Sequence, residues 1–277
     1  MIRIKRGSEP QGLAQVRARQ LPKAVAATKA RADLDFDGYR VAHVELYRRQ
    51  HGKCAYCERQ AGDDGQPVEH FRPKAEAWRG DPWVGDRRPE GGYWWLAWTW
   101  ENLLFACATC NCASRKGNWF PLAPGTRGLA PPRRSPSPQA ACFRLDREEP
   151  LLLDPAVDDP LDHLAWRPLD PDEPVERMEW RPVHRTERGR YTIEILGLAR
   201  ASVDHVGDHI RRVVYPAVAP FVSGAVRGQR RAWSRMLTSL FYPTAPYLAA
   251  THGAIDFFVP EARRAALGVE LPRPAIG

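Results

Sequence analysis

The chain contains no run of eighteen or more apolar residues, which excludes a membrane-spanning helix of ordinary length. Its first residues, Met1 to Lys5 (MIRIK), lack the apolar stretch of a secretory signal, so the expected compartment is the cytoplasm, with no membrane partner. Sequence repeats are absent, which argues against a solenoid or a propeller. Acidic residues are in deficit: 33 Asp and Glu stand against 41 Lys and Arg, a net charge of +8 in 277 residues. That balance disfavours an acidic-tail or acid-shell protein and favours a polyanionic partner, because each basic group that neutralises a phosphate releases counterions. The excess is rich in arginine, whose planar fork suits phosphate better than an ammonium does. Runs such as Arg133-Arg134 and Arg230-Arg231 fit solvated faces equally well.

Cysteine is scarce but not scattered. Of the six, four form two C-x-x-C pairs, Cys54-x-x-Cys57 and Cys107-x-x-Cys110, in a chain without an export signal. In a reducing compartment such pairs point to a metal ion instead of disulfides. Zinc favours tetrahedral thiolate ligation, and two C-x-x-C turns supply a closed structural site. The alternative is four buried thiols without metal. Cys112 is out of register with the pairs and is expected to be a small packing residue, and Cys142 a core residue.

Three regions follow, joined by a linker. Residues 1–52 are expected to form a helical arm, with Val41, Val44, Leu46 and Tyr47 toward one helical face. Residues 53–122 hold the cysteine pairs, Glu69-His70 and an aromatic cluster around Trp94, Trp95, Trp98 and Trp100; within them Arg79 to Gly92 reads as a surface loop. Residues 123–141, rich in Pro, Gly, Ser and Arg, read as a mobile linker or long loop. Residues 142–277 begin with extended pieces at 142–145 and 151–154 and are otherwise expected to be mainly helical. Helices are predicted from Arg190 to a break at Gly197, over about Ala201–Val222 with a kink near Pro216, and over about Arg227–Phe241. The expected fold class is α+β.

The spacer between the cysteine pairs is longer than a compact zinc ribbon needs, so something is carried between them. It holds Val68-Glu69-His70-Phe71-Arg72-Pro73-Lys74 and Glu101-Asn102-Leu103-Leu104; directly after Cys110 come Asn111 and then Lys116. These types suit phosphodiester hydrolysis. His70 can act as a general base near neutral pH. Glu69, on the opposite face of a strand, and Asn111 can offer oxygens to a hard divalent ion, Mg²⁺ or Mn²⁺. Arg72, Lys74 and Lys116 can grip backbone phosphates. Taken singly, each has a plainer reading: Glu69-His70 as a solvated pair, Asn102 as a turn residue, Asn111 as a helix cap.

Their order resembles the HNH, or ββα-metal, nuclease superfamily, in whose zinc-braced members C-x-x-C pairs likewise flank the catalytic finger. The resemblance implies a small ββα finger between N-terminal helices and a helical C-terminal region. It also makes Asn102 the middle Asn, which holds the loop that orients His70. Further strings narrow it: Gly52-Lys-Cys-Ala-Tyr-Cys-Glu58, Glu69-His-Phe-Arg-Pro-Lys74, Tyr93-Trp-Trp-Leu-Ala-Trp98, Phe120-Pro-Leu122, Pro150-Leu-Leu-Leu-Asp-Pro155 and Thr192-Ile-Glu-Ile-Leu-Gly-Leu198. Over about residues 1–210 the chain resembles the HNH subunit of Septu-type and retron-associated antiphage systems. That resemblance implies an endonuclease acting on DNA beside an ABC- or SMC-like ATPase. Glu69 stands where the broader superfamily more often has Asp, and Asn111 where it has His; the latter suits an oxygen-preferring ion. Two other functions remain open: an RNase or tRNase using the same residues, and a zinc-stabilised nucleic-acid or protein adaptor. Asp204-His205-Val-Gly-Asp208-His209 sets two histidines four apart, but without a third ligand it reads as a surface or partner-facing stripe.

Overall fold

The computed structural model describes residues 1–63, 65–131, 145–201, 203–224 and 229–277. Cys142, Arg133-Arg134, most of the extended piece at 142–145 and the start of the helix expected from Arg227 lie outside the described residues. Among the described residues helices and four two-stranded sheets alternate, an α+β arrangement.

The N-terminal arm is less helical than expected. Strand β1 (Arg3–Ile4) runs parallel to β8 (Ala275–Ile276), so two segments some 270 residues apart share one ribbon. Helix α1 (Gln11–Ala30) turns Leu13, Val16, Arg17, Leu21 and Ala24 inward, a three-and-four spacing that defines one buried face. Helix α2 (His43–Arg49) is preceded by a 3-10 turn over Tyr39–Ala42. Leu46 is buried there as expected, but Val41 is 48% and Val44 68% exposed: Val44 precedes Leu46 by two residues in α2 and so falls on the opposite face, and Val41 belongs to the separate 3-10 turn.

The middle region is built on an antiparallel pair, β2 (Val68–His70) and β5 (Leu103–Phe105), in the register Val68↔Phe105, Glu69↔Leu104, His70↔Leu103. Strands β3 (Glu76–Trp78) and β4 (Pro89–Gly91) form a second hairpin between them, so the stretch expected to be loop from Arg79 to Gly92 ends in a strand. Helix α3 (Ala108–Asn111) follows β5 directly. The aromatic cluster forms the core here: Tyr93, Trp95, Trp98, Trp100, Phe105 and Phe120 are all buried. Indole N–H groups tie the arm to it, Trp98 donating to the Asp37 carbonyl at 2.8 Å and Trp100 to the Gly7 carbonyl at 3.1 Å. Residues 123–131, assigned to the linker, are partly anchored: the Leu129 amide donates to Glu148 at 3.1 Å and the Ala123 amide to the Glu149 carbonyl at 2.8 Å.

The C-terminal region is mainly helical but holds a sheet that the sequence pattern did not reveal. After α4 (Pro160–His163), β6 (Leu164–Pro168) pairs with β7 (Trp180–His184). Pro168 and Pro182 argue against central strands, yet in a two-stranded ribbon both strands are edges and the missing donors cost nothing. Helix α5 (Glu187–Leu196) begins before the predicted Arg190, capped by the Thr186 hydroxyl, and stops at Gly197 as predicted. After α6 (Leu198–Ala201) come α7 (Val203–His209), a π-helical turn (Ile210–Val214) and α8 (Tyr215–Ser223). The π turn lies where the kink near Pro216 was expected: a wider turn relieves the clash of the ring with the carbonyl four residues back. Helices α9 (Gln229–Leu240), α10 (Leu248–Phe258) and α11 (Glu261–Leu267) follow, ahead of β8. Gly253 lets α10 lie on β6, since a Cβ there would fall 2.6 Å from the Trp166 carbonyl oxygen. Among the described residues no helix is long and apolar enough to cross a membrane.

Candidate active site

The two C-x-x-C segments meet through β5. The Ala55 amide, inside the first pair, donates to the Phe105 carbonyl at 2.9 Å, and two residues later the chain enters the second pair. Gly52, at φ +70°, makes the tight entry into the first turn; a Cβ there would press on the Tyr47 and Gln60 side chains at 3.0 Å. The sulfurs of Cys54, Cys57, Cys107 and Cys110 lie within 4.8 Å of one another. Cys57 Sγ and Cys107 Sγ are 3.9 Å apart, against ~3.8 Å for two thiolates on a tetrahedral zinc ion. The four cysteines are therefore positioned to bind a metal, and an all-sulfur tetrahedral set fits structural zinc. Cys112 stands aside, half-buried, its thiol on the Thr109 carbonyl at 3.1 Å.

A second centre lies on β2 and the turn after α3. A cavity of about 350 Å³ is lined by Glu69, His70, Lys74 and Asn111, together with Tyr39, Arg40 and Asn118. It thus brings together three of the four expected catalytic residues. The fourth, Asn102, is buried behind the strand: its Oδ1 accepts from the Arg72 amide at 2.8 Å, and its Nδ2 donates to the Arg72 carbonyl at 3.0 Å and the Leu96 carbonyl at 3.3 Å. It fixes the turn that follows His70 and lines no part of the cavity.

His70 Nε2 lies 2.9 Å from the Ala97 carbonyl oxygen. A carbonyl only accepts, so Nε2 carries the proton and the lone pair of the neutral ring sits at Nδ1. Tyr39 packs edge-on against the ring, with centroids 4.6 Å apart. Burial, then the nearby Lys74 and Lys116 charges, push the His70 pKa down to about 3, well below the near-neutral value its type suggests. The ring is therefore neutral at physiological pH and ready to accept a proton, though only weakly basic until negative charge enters the cavity.

Glu69 is 2% exposed. Its Oε1 accepts from the Tyr56 hydroxyl at 3.1 Å and lies 2.9 Å from Lys116 Nζ. Among the described residues no hydrogen bond reaches Oε2, which leaves it available to a ligand. Burial pushes the Glu69 carboxyl upward, against the opposing pull of Lys116. Glu69 and Asn111 both line the cavity, and a carboxylate and an amide are side chains that could offer hard oxygen donors to a small divalent cation.

The expected phosphate contacts divide. Arg72 is 6% exposed, its Nε 2.7 Å from Glu148 Oε2 and its guanidinium over the Phe71 and Phe120 rings. Lys116 is wholly buried, on Glu69 and on the His70 carbonyl at 3.2 Å. Both are buried against internal partners. Lys74 remains at the cavity, over the Tyr39 ring at 5.0 Å. Arg40, which carries no motif signal, lines it as well and is exposed. Elsewhere, His209 of the paired-histidine stretch bonds Thr251 Oγ1 at 2.8 Å while His205 is exposed, so the two do not converge on one point.

The Septu protein PtuB of Bacillus mycoides (strain KBAB4) is similar to this chain: 34% of residues are identical over 177, covering 60% of the chain and 55% of that protein. The chain thus spans about half the length of the curated relative it matches. No family model matches the sequence. Nor does any solved structure match it.

Proposed function

We propose that this chain is a metal-dependent HNH endonuclease, the nuclease effector of a Septu-type antiphage system acting on DNA with an ABC- or SMC-like ATPase. The observation that carries the reading is the shared cavity of Glu69, His70 and Asn111, at which one Glu69 oxygen has no hydrogen-bond partner among the described residues. The order β2, β5, α3, with the four-cysteine centre at its base, supports naming it a ββα finger. The likeness to a Septu protein supports the antiphage setting.

Glu69 and Asn111 would hold the cation, Mg²⁺ or Mn²⁺, which supplies positive charge opposite the phosphate as its negative charge builds. His70 takes a proton from water at Nδ1 while Nε2–H stays on Ala97. The water oxygen forms the new bond to phosphorus as the bond to the sugar oxygen breaks, and that oxygen leaves with a proton from solvent. The phosphate's own charge raises the affinity of the imidazole for the proton, offsetting the burial that depresses it. Lys74 and Arg40 align the backbone at the cavity mouth.

The test is a nicking assay on supercoiled plasmid, with Mg²⁺ or Mn²⁺, using the purified chain alone and with its ATPase. Nicking that depends on the divalent ion is expected. Cleavage of RNA but not of DNA would favour the ribonuclease reading. Failure to cut either, even with the partner, would favour the zinc-stabilised adaptor.

A further inference from the structure

We infer that Tyr56 is a positioning residue for the divalent-ion site, linking occupancy of the four-cysteine centre to the affinity of the cavity for its cation. The inference rests on the reading that Glu69 and Asn111 hold that cation. Tyr56 lies between Cys54 and Cys57 and is fully buried, so the loop that carries the two sulfurs also fixes its ring. Its hydroxyl donates to Glu69 Oε1 at 3.1 Å. The other group on the same oxygen, Lys116, belongs to the second cysteine pair: its amide donates to the Cys110 carbonyl at 3.2 Å.

Each cysteine pair therefore presents one donor to Oε1, one neutral and one charged. With Oε1 held from both sides, the carboxylate cannot rotate freely, and Oε2 is the oxygen left for a cation. A buried carboxylate held by Lys116 alone is free to swing and offer both oxygens to the ammonium, which competes with a divalent ion for the same charge. Partners that orient a metal-binding carboxylate commonly set affinity by 10- to 100-fold, roughly. The coupling is reciprocal: whatever binding the cation does to Glu69 is transmitted through Tyr56 to the thiolate centre.

Tyr56→Phe keeps the ring and its packing and removes only the donor. It should retain one zinc per chain and the cooperative unfolding of the wild type. Its Mn²⁺ affinity, measured by calorimetric titration, should fall by about 10-fold, with Glu69→Gln and Asn111→Ala falling at least as far. Wild-type affinity in Tyr56→Phe alongside a loss in Glu69→Gln overturns the inference and leaves the cation site standing. Wild-type affinity in all three overturns both. A measurement independent of folding in the variant uses wild-type protein with ¹¹³Cd at the four cysteines. Added Mg²⁺ should shift the ¹¹³Cd resonance, and an unmoved resonance at saturating Mg²⁺ overturns the coupling.

Discussion

Asn102 and Arg72 are joined backbone to side chain in both directions, the Arg72 amide to Asn102 Oδ1 at 2.8 Å and Asn102 Nδ2 to the Arg72 carbonyl at 3.0 Å. One amide side chain thereby completes the hydrogen bonding of the residue two positions after His70, where β2 has ended and no strand partner exists. Asn102→Ala leaves a buried N–H and a buried C=O without partners. A loss of about 3 kcal/mol in unfolding free energy is expected by chemical denaturation. Zinc content should stay at wild-type level, because the cysteine turns are held by other bonds. A loss under about 0.5 kcal/mol would show that the turn does not depend on Asn102.

Arg72 and Lys74 stand two residues apart and should respond differently to removal. Arg72→Ala removes the cation from the buried Glu148 carboxylate, leaving it only the neutral Tyr93 hydroxyl and Leu129 amide as donors, and should cost about 3 kcal/mol of stability. Lys74→Ala, at the cavity mouth, should change stability by less than about 0.5 kcal/mol. It should instead weaken DNA binding evenly across sequences and lower the slope of affinity against salt by about 1. Thermal unfolding and salt-dependent binding, run on both variants, separate the roles.

Removing the metal from the four cysteines should unfold more than the turns that hold them. Thiolate zinc sites contribute on the order of 10–16 kcal/mol in small domains. Here the first turn is also bonded to β5 through Ala55 and the second is continuous with it. Chelation, or Cys107→Ser, should therefore abolish the cooperative transition of the middle region. A protein that melts normally without zinc would contradict the assignment of the site.

Acid should destabilise the fold through its buried histidines. Burial lowers the pKa of His252 on α10 to about 4, with Asp256 pulling it back up and Arg264, Arg273 and Arg185 adding to the depression. Burial likewise lowers His209 and His163. A histidine whose folded pKa lies below its unfolded value of about 6.5 binds fewer protons in the native state. Its contribution is fully present above pH 6.5 and is lost as the pH falls from there toward 4. For the half-buried His252 the loss is about 2 kcal/mol. His252→Asn should flatten the fall in melting temperature across that window, and an unchanged slope would refute it.

Most of the candidate site was legible because its signals are local. The C-x-x-C pairs, Glu69-His70 and Cys110-Asn111 are each contiguous, and a short turn can only present such neighbours in a few ways. What escaped depends on pairing over distance. Nothing near Arg72 announces that its partner is Glu148, 76 residues on. Lys116 likewise meets a carboxylate far off in sequence, that of Glu69 on β2. Arg40 sits in an ordinary helical turn and reaches the cavity because that 3-10 turn packs against β2, with α1 packed on the turn in its own right. In the fold, Gly197 and Pro216 marked real boundaries because their effects are covalent and local. The β6–β7 ribbon, with a proline in each strand, was hidden by residue preferences that apply to central strands and not to edges.

The most direct test of the account is the rate of plasmid nicking by His70→Ala, in protein shown to keep its zinc and its melting temperature. Loss of a general base predicts a fall of about 10²- to 10⁴-fold at saturating Mg²⁺. Cleavage at the wild-type rate by that variant would contradict the assignment of the imidazole and, with it, the hydrolytic role of the cavity.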